Sequence, residues 1–545
     1  MKTSFKALCA GALLGLASLA PQAADMVLVN LDAAGVGFND PTPATPVGGN
    51  TGTTVGEQRL IAYGRALSLW GSVLKSNVPI TVLGSFDALD CDAGGGVLAQ
   101  AGAWNIELNF PNAPKTNTLY HGALANSIAG MDLYPGVDII DGADVIAFFN
   151  GAIGTPGCIE GSTWYYGLDS NAPADKTDFL NVFMHELSHG LGFSNFVNEG
   201  TGNRLAGFND IYMTFTRDNV TGKLWSDMTA AEIRAAAVRD GQEVWVGPNV
   251  TARAPLVLGK ATLLNITSPA AVAGQKEFLS GASFGAVPTS AAFTGDVVAG
   301  LDGADATGPS INDGCGPFTN AAAVAGKVAI VRRGTCGFVV KAKNAQLAGA
   351  KAVIIANNAV AAGPMGMGGA DPTVTIPAIS VGTADGNALI AAGTFRSGGF
   401  IKSATRLAGA DASGNVRIYA PPVVAPGSSG SHWDVTAEPS LLMEPFDTPL
   451  LEASHNVDLT VALFEDIGWK TEFSVGACGV DAGVPATDKK GEIYAAPIYT
   501  CADNARNHGG LQSCVVNVLN VLKKLDLMSG QVKGLIGSCI SRGSN

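Results

Sequence analysis

Apolar residues recur at Leu60, Tyr63, Leu67, Trp70 and Leu74. Steps of three and four place them on one face of a helix. Residues 78–83 and 144–149 are short apolar runs of strand length. From 178 to 191 the spacing is helical again. Leu180, Met184, Leu187 and Leu191 form one stripe for the core, and Thr177 or Asp178 stands where an N-cap belongs. Further on, residues 327–333 and 351–357 are strand patterns flanking an Ala-rich helical stretch, 338–350. Together they predict a compact βαβ unit. Residues 24–55 are rich in Gly, Pro, Thr and Asn and predict an extended start with turns. Residues 421–431 are rich in Pro, Gly and Ser and mark a boundary. After Trp469 cysteines crowd the chain, and 514–527 predicts a disulfide-stapled helix. No tandem repeat occurs.

Composition narrows the function classes. The chain has 545 residues and a net charge of −13. At about 150 residues per domain this is three to four domains. A hydrophobic fraction of 47% excludes a disordered chain. The acidic balance argues against nucleic acid, which needs a basic face, and against docking on an anionic membrane. Lys2 and Lys6, the apolar stretch 7–20 and the small residues Ala23 and Ala24 predict a secretory signal over residues 1–24. No later run is long enough to span a bilayer. The mature protein is therefore expected outside the cell, without a membrane anchor and as a monomer. Cys9 falls in the leader. Cys91, Cys158, Cys315, Cys336, Cys478, Cys501, Cys514 and Cys539 remain, an even number that predicts disulfides. Sequential pairing within each region is expected.

The chemical signal is His185-Glu186-Leu187-Ser188-His189 within the second helix. Residues four apart share a helical face, so both imidazoles can meet one ion. Zinc accepts imidazole nitrogen and, in a catalytic site, keeps a position for water. Glu186 can take that water's proton as general base. Gly190 and Gly192 are expected to let the chain leave the helix sharply. A third protein ligand is required. Glu199 and Asp210 lie at distances where carboxylate ligands occur, and His455 is a further rival. His121 is expected to be structural or superficial, and His508 lies in the tail.

Residues 185–193 (HELSHGLGF) resemble the long metzincin zinc signature, but its last ligand position is Asn195 here. Metzincins of the leishmanolysin type also leave it unfilled. Their third His lies beyond an insertion, before a Met-containing turn. The resemblance maps His432 onto that ligand and Met443 onto the Met-turn, an apolar floor under the imidazoles. It also maps residues 459–469 onto the closing helix, and Asp434 could steady the segment that bears His432. Residues 326–358 are similar to the protease-associated (PA) domain, and 374–381 with Gly386 and Leu389 fit the same module. This resemblance covers about 254–407 and implies a local Cys315–Cys336 disulfide. The resemblance implies a module over or beside the cleft, without catalytic residues, that biases substrate access or serves as a spacer.

The expected architecture is α+β. A metzincin-like catalytic domain, a twisted mixed sheet plus zinc helix, spans 25–253 and 408–470. An α/β PA domain is inserted at 254–407, and a small disulfide-rich C-terminal region covers 471–545. The expected function is a secreted zinc-dependent endopeptidase acting on polypeptides, which would pair with an edge strand. A zinc aminopeptidase is the alternative, against which no acidic cluster for a free amine is evident. A non-catalytic adhesin keeping the fold is the other, and the intact Glu186 speaks against it.

Overall fold

The computed structural model describes residues 24–541, apart from 94, 281, 305–309, 361–362, 449, 476–477 and 479–482. The expected leader lies outside them except for Ala24.

The body begins with β1 (Met26–Asn30), α1 (Val55–Val73), β2 (Ile80–Asp87), β3 (Ala99–Ala103), β4 (Val145–Asn150) and α2 (Phe179–Leu191). The sheet order is β1-β2-β4-β3. The first three run parallel, and β3 lies antiparallel on the edge. Thr54 and Glu57 start α1 with a reciprocal capping box. Tyr63, Leu67, Trp70 and Leu74 are buried as the spacing predicts, while Leu60 is 39% exposed. Asp178, not Thr177, caps α2 by accepting the Asn181 N–H at 3.0 Å. The stripe Leu180, Met184, Leu187 and Leu191 is fully buried. The two helices lock together through Trp70, whose indole N–H donates to the Met184 carbonyl at 3.1 Å. Gly190 departs from expectation, because the helix runs on through it. Its role is contact: a Cβ there would lie 2.3 Å from the Val145 side chain of β4. Gly192, at φ +138°, ends the helix.

After α2 come α3 (Pro248–Val257), β5 (Lys260–Ser268), β6 (Thr294–Ala299), β7 (Val328–Arg332), α4 (Phe338–Leu347), β8 (Ala352–Ala356), β9 (Ala378–Val381) and β10 (Thr394–Leu407). The expected βαβ unit is present, with β7 and β8 in parallel register around α4. It belongs to an eight-stranded sheet ordered Gly274–Lys276, β5, β10, β6, β7, β8, β9, Phe278–Leu279. Two apolar clusters cover this sheet and are separate from the core of the body. The residue-254 boundary falls inside α3, which buries Val250 and Ala254 in the body's core. The unit's two ends touch: Ala408 N–H donates to the Gly259 carbonyl at 3.0 Å. Glu277 ties the unit to the body by accepting from Arg417 at 2.9 and 2.7 Å.

Beyond the insertion, α5 (Thr460–Ile467) packs on α3, and the Trp469 indole N–H donates to Leu191 O at 2.8 Å. The cysteine-rich region is cladding for the body. In α6 (His508–Lys524), Val515, Leu519 and Leu522 join the main core. Tyr499 donates to Ser68 O on α1 at 3.1 Å. Cys91–Cys158 and Cys315–Cys336 pair as neighbours. In the tail, sequential pairing fails: Cys501–Cys514 is nested inside Cys478–Cys539. The cause is antiparallel helix packing, which brings Cys514 back onto helix Ala496–Asn504 and the last helix back onto α6. Among the described residues no helix is long and apolar enough to cross a membrane.

Candidate metal centre and cleft

His185 and His189 lie one turn apart on α2, and His432 arrives from the segment after the insertion. Their Nε2 atoms form a triangle of 3.1, 3.1 and 3.2 Å sides. Each Nδ1 faces a carbonyl oxygen: Leu442 for His185 at 2.7 Å, Phe193 for His189 at 2.8 Å, Ser428 for His432 at 2.9 Å. A carbonyl only accepts, so each Nδ1 carries the proton and each Nε2 presents a lone pair. Three lone pairs facing one another repel unless a cation lies between them. Ligands of one tetrahedral ion at about 2.0–2.1 Å stand about 3.3 Å apart, close to the spacing seen. Burial pushes His185 down to about 4 and His189 to about 3, and His432 falls well below the usual histidine range. All three are therefore neutral near neutral pH, the form in which imidazole can accept a metal.

The rivals for the third position are engaged elsewhere. Glu199 accepts from the Asn195 side chain at 3.1 Å. Asp210 accepts the N–H of Phe196 at 2.8 Å and of Met213 at 2.7 Å. His455 pairs with Glu452 at 3.2 Å, and its side chain is 42% exposed. His508 sits at the start of α6 beside Gln512. His121 is buried, with Nε2 2.7 Å from Ser194 Oγ. Among the described residues the three imidazoles are the one His/Cys/Asp/Glu group able to hold a metal.

The segment bearing His432 is held from several sides. Asn195, at the vacant motif position, donates its N–H and side-chain amide to Ser431 Oγ at 3.2 and 3.0 Å. Tyr419 N–H donates to His432 O at 2.9 Å, and Trp433 N–H to Met443 O at 2.8 Å. Met443 is fully buried. Leu442, which precedes it, donates its N–H to Asp458 at 2.5 Å. Asp434 turns inward and accepts the Thr436 N–H at 3.0 Å. Asp434 thus steadies the segment locally, as its position suggests, whereas the backbone carbonyls that hold the imidazoles were not visible in the sequence, because backbone acceptors leave no residue-type signal.

Glu186 is buried beside the triad, and burial pushes its carboxyl up to about 8 against the pull of the Ala101 backbone on β3. A cation at the imidazoles favours the ionised form. A cleft of about 840 Å³ runs across the centre, walled by residues 95–101, by Val182 and Leu442, and by Pro426–Ser428. Among the described residues of 254–407 none lines it. Glu444 and Asp447 line it as well, two carboxylates in a region where the sequence shows no acidic cluster for a free amine. They were missed because they follow Met443 by one and four residues, outside any motif.

Residues 293–389 match the family model of the PA domain. Over 84 residues, 15% of this chain, the sequence is 43% identical to Aminopeptidase YwaD of Bacillus subtilis (strain 168). The chain spans 18% of that relative's length. Among solved structures, the zinc aminopeptidase BSAP from Bacillus subtilis is 23% identical, covering 29% of this chain and 37% of that one with a TM-score of 0.18. An aminopeptidase from Aneurinibacillus sp. strain AM-1 is 22% identical, covering 28% and 38% with a TM-score of 0.16. Overlaps so small leave the His185 centre to be read from its own geometry. The chain contains a PA domain, set between α2 and the segment that brings His432 back to it.

Proposed function

We propose that this chain is a secreted zinc-dependent endopeptidase of metzincin type, resembling leishmanolysin, with its PA domain inserted in the catalytic domain. The observation that carries the reading is the Nε2 triangle with every Nδ1 anchored to a carbonyl. His185, His189 and His432 are the ligands in this reading, and Met443 is the Met-turn residue. Zinc held there supplies Lewis acidity toward a carbonyl and toward water. Glu186 takes the proton of the attacking water and delivers it to the leaving amine. Its place against β3 supports that role. An extended substrate adds to the free edge of β3 by main-chain pairing, which holds the scissile bond over the imidazoles. Residues 99–103, Ala-Gln-Ala-Gly-Ala, put mostly small side chains along that edge.

A second reading, an aminopeptidase, draws support from Glu444 and Asp447 on the cleft wall, which could hold a free amine. The local likeness to YwaD points the same way. Internally quenched peptides with blocked ends separate the two. An endopeptidase cleaves them, loses activity to a chelator and regains it with zinc. Cleavage of aminoacyl reporters alone would favour the aminopeptidase. A zinc-loaded protein that cleaves neither would remove both.

A further inference from the structure

A buried cation lies against the disulfide of the inserted unit. Lys341 on α4 has no exposed surface. Its Nζ is 3.3 Å from both Cys315 Sγ and Cys336 Sγ and donates to Asp313 O at 2.7 Å. Cys315 Sγ also accepts the Cys336 N–H at 3.3 Å, and Thr335 Oγ1 lies 3.9 Å away. Cys336 sits directly before Gly337, the N-cap of α4, so the helix dipole adds positive potential at the same place. A disulfide sulfur is a weak acceptor, whereas a thiolate is a full charge that this arrangement solvates. Burial lowers the Lys341 pKa, and the nearby Asp313 and Asp302 carboxylates oppose that.

The two sulfurs differ in access. Cys315 is 9% exposed, whereas Cys336 is half-buried between the exposed Thr335 and Gly337. Attack from solvent therefore reaches Cys336 first, and the leaving sulfur is the one that the donors surround. Leaving thiols of lower pKa depart faster.

We propose that Cys315–Cys336 is a thiol-exchange site, where a small external thiol adds to Cys336 and Cys315 departs as a thiolate held by Lys341. In the first step the thiolate of the external thiol forms an S–S bond to Cys336 Sγ. The Cys315–Cys336 bond breaks, and its electron pair goes to Cys315 Sγ. A second external thiolate then attacks the mixed disulfide, releasing the external disulfide and the Cys336 thiolate, which takes up a proton. Two external thiols are oxidised and one protein disulfide is reduced. Opening the bond removes the covalent tie between residues 310–316 and the start of α4, leaving the Asn344 side chain on Gly314 O at 2.9 Å and the Lys341 contacts to Asp313 and Cys315. This site does not depend on the peptidase reading.

The test is a time course of the full-length oxidised protein in reduced glutathione at neutral pH. It is quenched with acid, alkylated and mapped by peptide mass spectrometry. Cys315–Cys336 should open before Cys91–Cys158 and Cys501–Cys514, with glutathione first appearing on Cys336. Lys341→Met should slow that opening at least about tenfold, and Lys341→Arg, which keeps the charge, should retain most of the rate. Glutathione appearing first on Cys315, opening no faster than at the other two bridges, or an unchanged rate in a folded Lys341→Met protein would overturn the proposal. Should Lys341→Met not fold, the order of opening and the site of addition in the unaltered protein decide it.

Discussion

The carbonyl oxygen of Leu442 accepts the Nδ1 proton of His185 at 2.7 Å, across 257 residues of sequence. That bond fixes the imidazole tautomer and ties α2 to the segment carrying Met443. Met443 in turn accepts the N–H of Trp433, the neighbour of His432. The third imidazole is thus aligned by the same backbone that orients the first. The geometry of the three imidazoles and the closure of the body around its insertion are one structure.

From this follows the clearest test of the ligand set. His432→Ala should lose bound zinc and activity together, as His189→Ala should, because two nitrogens cannot make a tight tetrahedral site. His455→Ala should leave zinc near one per chain, since that ring pairs with Glu452 near the surface. Metal analysis of the three purified variants decides it. Full zinc content in His432→Ala would remove His432 from the centre.

Glu186→Gln keeps the size and burial of the side chain and removes its basicity. Zinc should stay bound and the fold intact, while peptide turnover falls by a factor on the order of 10² or more. Turnover close to that of the unaltered enzyme, at full zinc occupancy, would assign the proton transfer to another group.

The elements that position the site were largely legible in the sequence. The stripe Leu180–Met184–Leu187–Leu191 and the Asp178 cap defined α2 because burial and capping act through residue type. The β7–α4–β8 unit was legible because its strands are continuous Val/Ile/Ala runs buried on both faces. Strand β3 was not, since its Ala/Gln/Gly composition carries no hydrophobic period. The Leu442, Phe193 and Ser428 carbonyls were invisible for a different reason: every residue has one. Tail connectivity depended on how helices fold back, which cysteine spacing does not encode. Gly190 was noticed for the wrong reason, as a helix exit and not as a contact with Val145.

The insertion should be removable. Lys260 pairs with Leu407, and Ala408 N–H reaches Gly259 O at 3.0 Å, so the cut ends already touch. Deleting residues 260–407 and bridging Gly259 to Ala408 with two or three glycines should leave α3 and its buried Ala254 in place. The shortened protein should fold, bind zinc and cleave short peptides, because none of the described residues of 254–407 lines the cleft. Arg417 loses Glu277, so a lower Tm is expected alongside retained activity. A folded, zinc-loaded deletion protein without activity on any peptide would show that the unit contributes to the site.

The last prediction concerns a buried acid. Glu243 is fully buried, and its Oε2 accepts the Trp225 indole N–H at 2.6 Å. Its Oε1 has no donor. Asp218 lies beside it, already holding Arg239, Thr221 and Val220. Burial, then the Asp218 charge, pushes the Glu243 carboxyl up to about 8. As the neutral acid it can donate to Asp218, an interaction that also raises its pKa. The sign follows from linkage. The folded state holds this proton up to about 8, whereas the unfolded chain releases it near the ordinary glutamate value of 4.5. Stability is therefore lost as pH rises toward 8, by at most about 1.4 kcal/mol per pH unit for one proton. Gln at this position donates to Asp218 and accepts from Trp225 without titrating. In chelator-treated protein between pH 6.5 and 8, where the triad imidazoles contribute equally to both proteins, Glu243→Gln should gain stability relative to the unaltered chain as pH rises. Urea unfolding across that range reads the gap directly. A gap that stayed constant or narrowed with pH would show that Glu243 is ionised in the folded protein throughout.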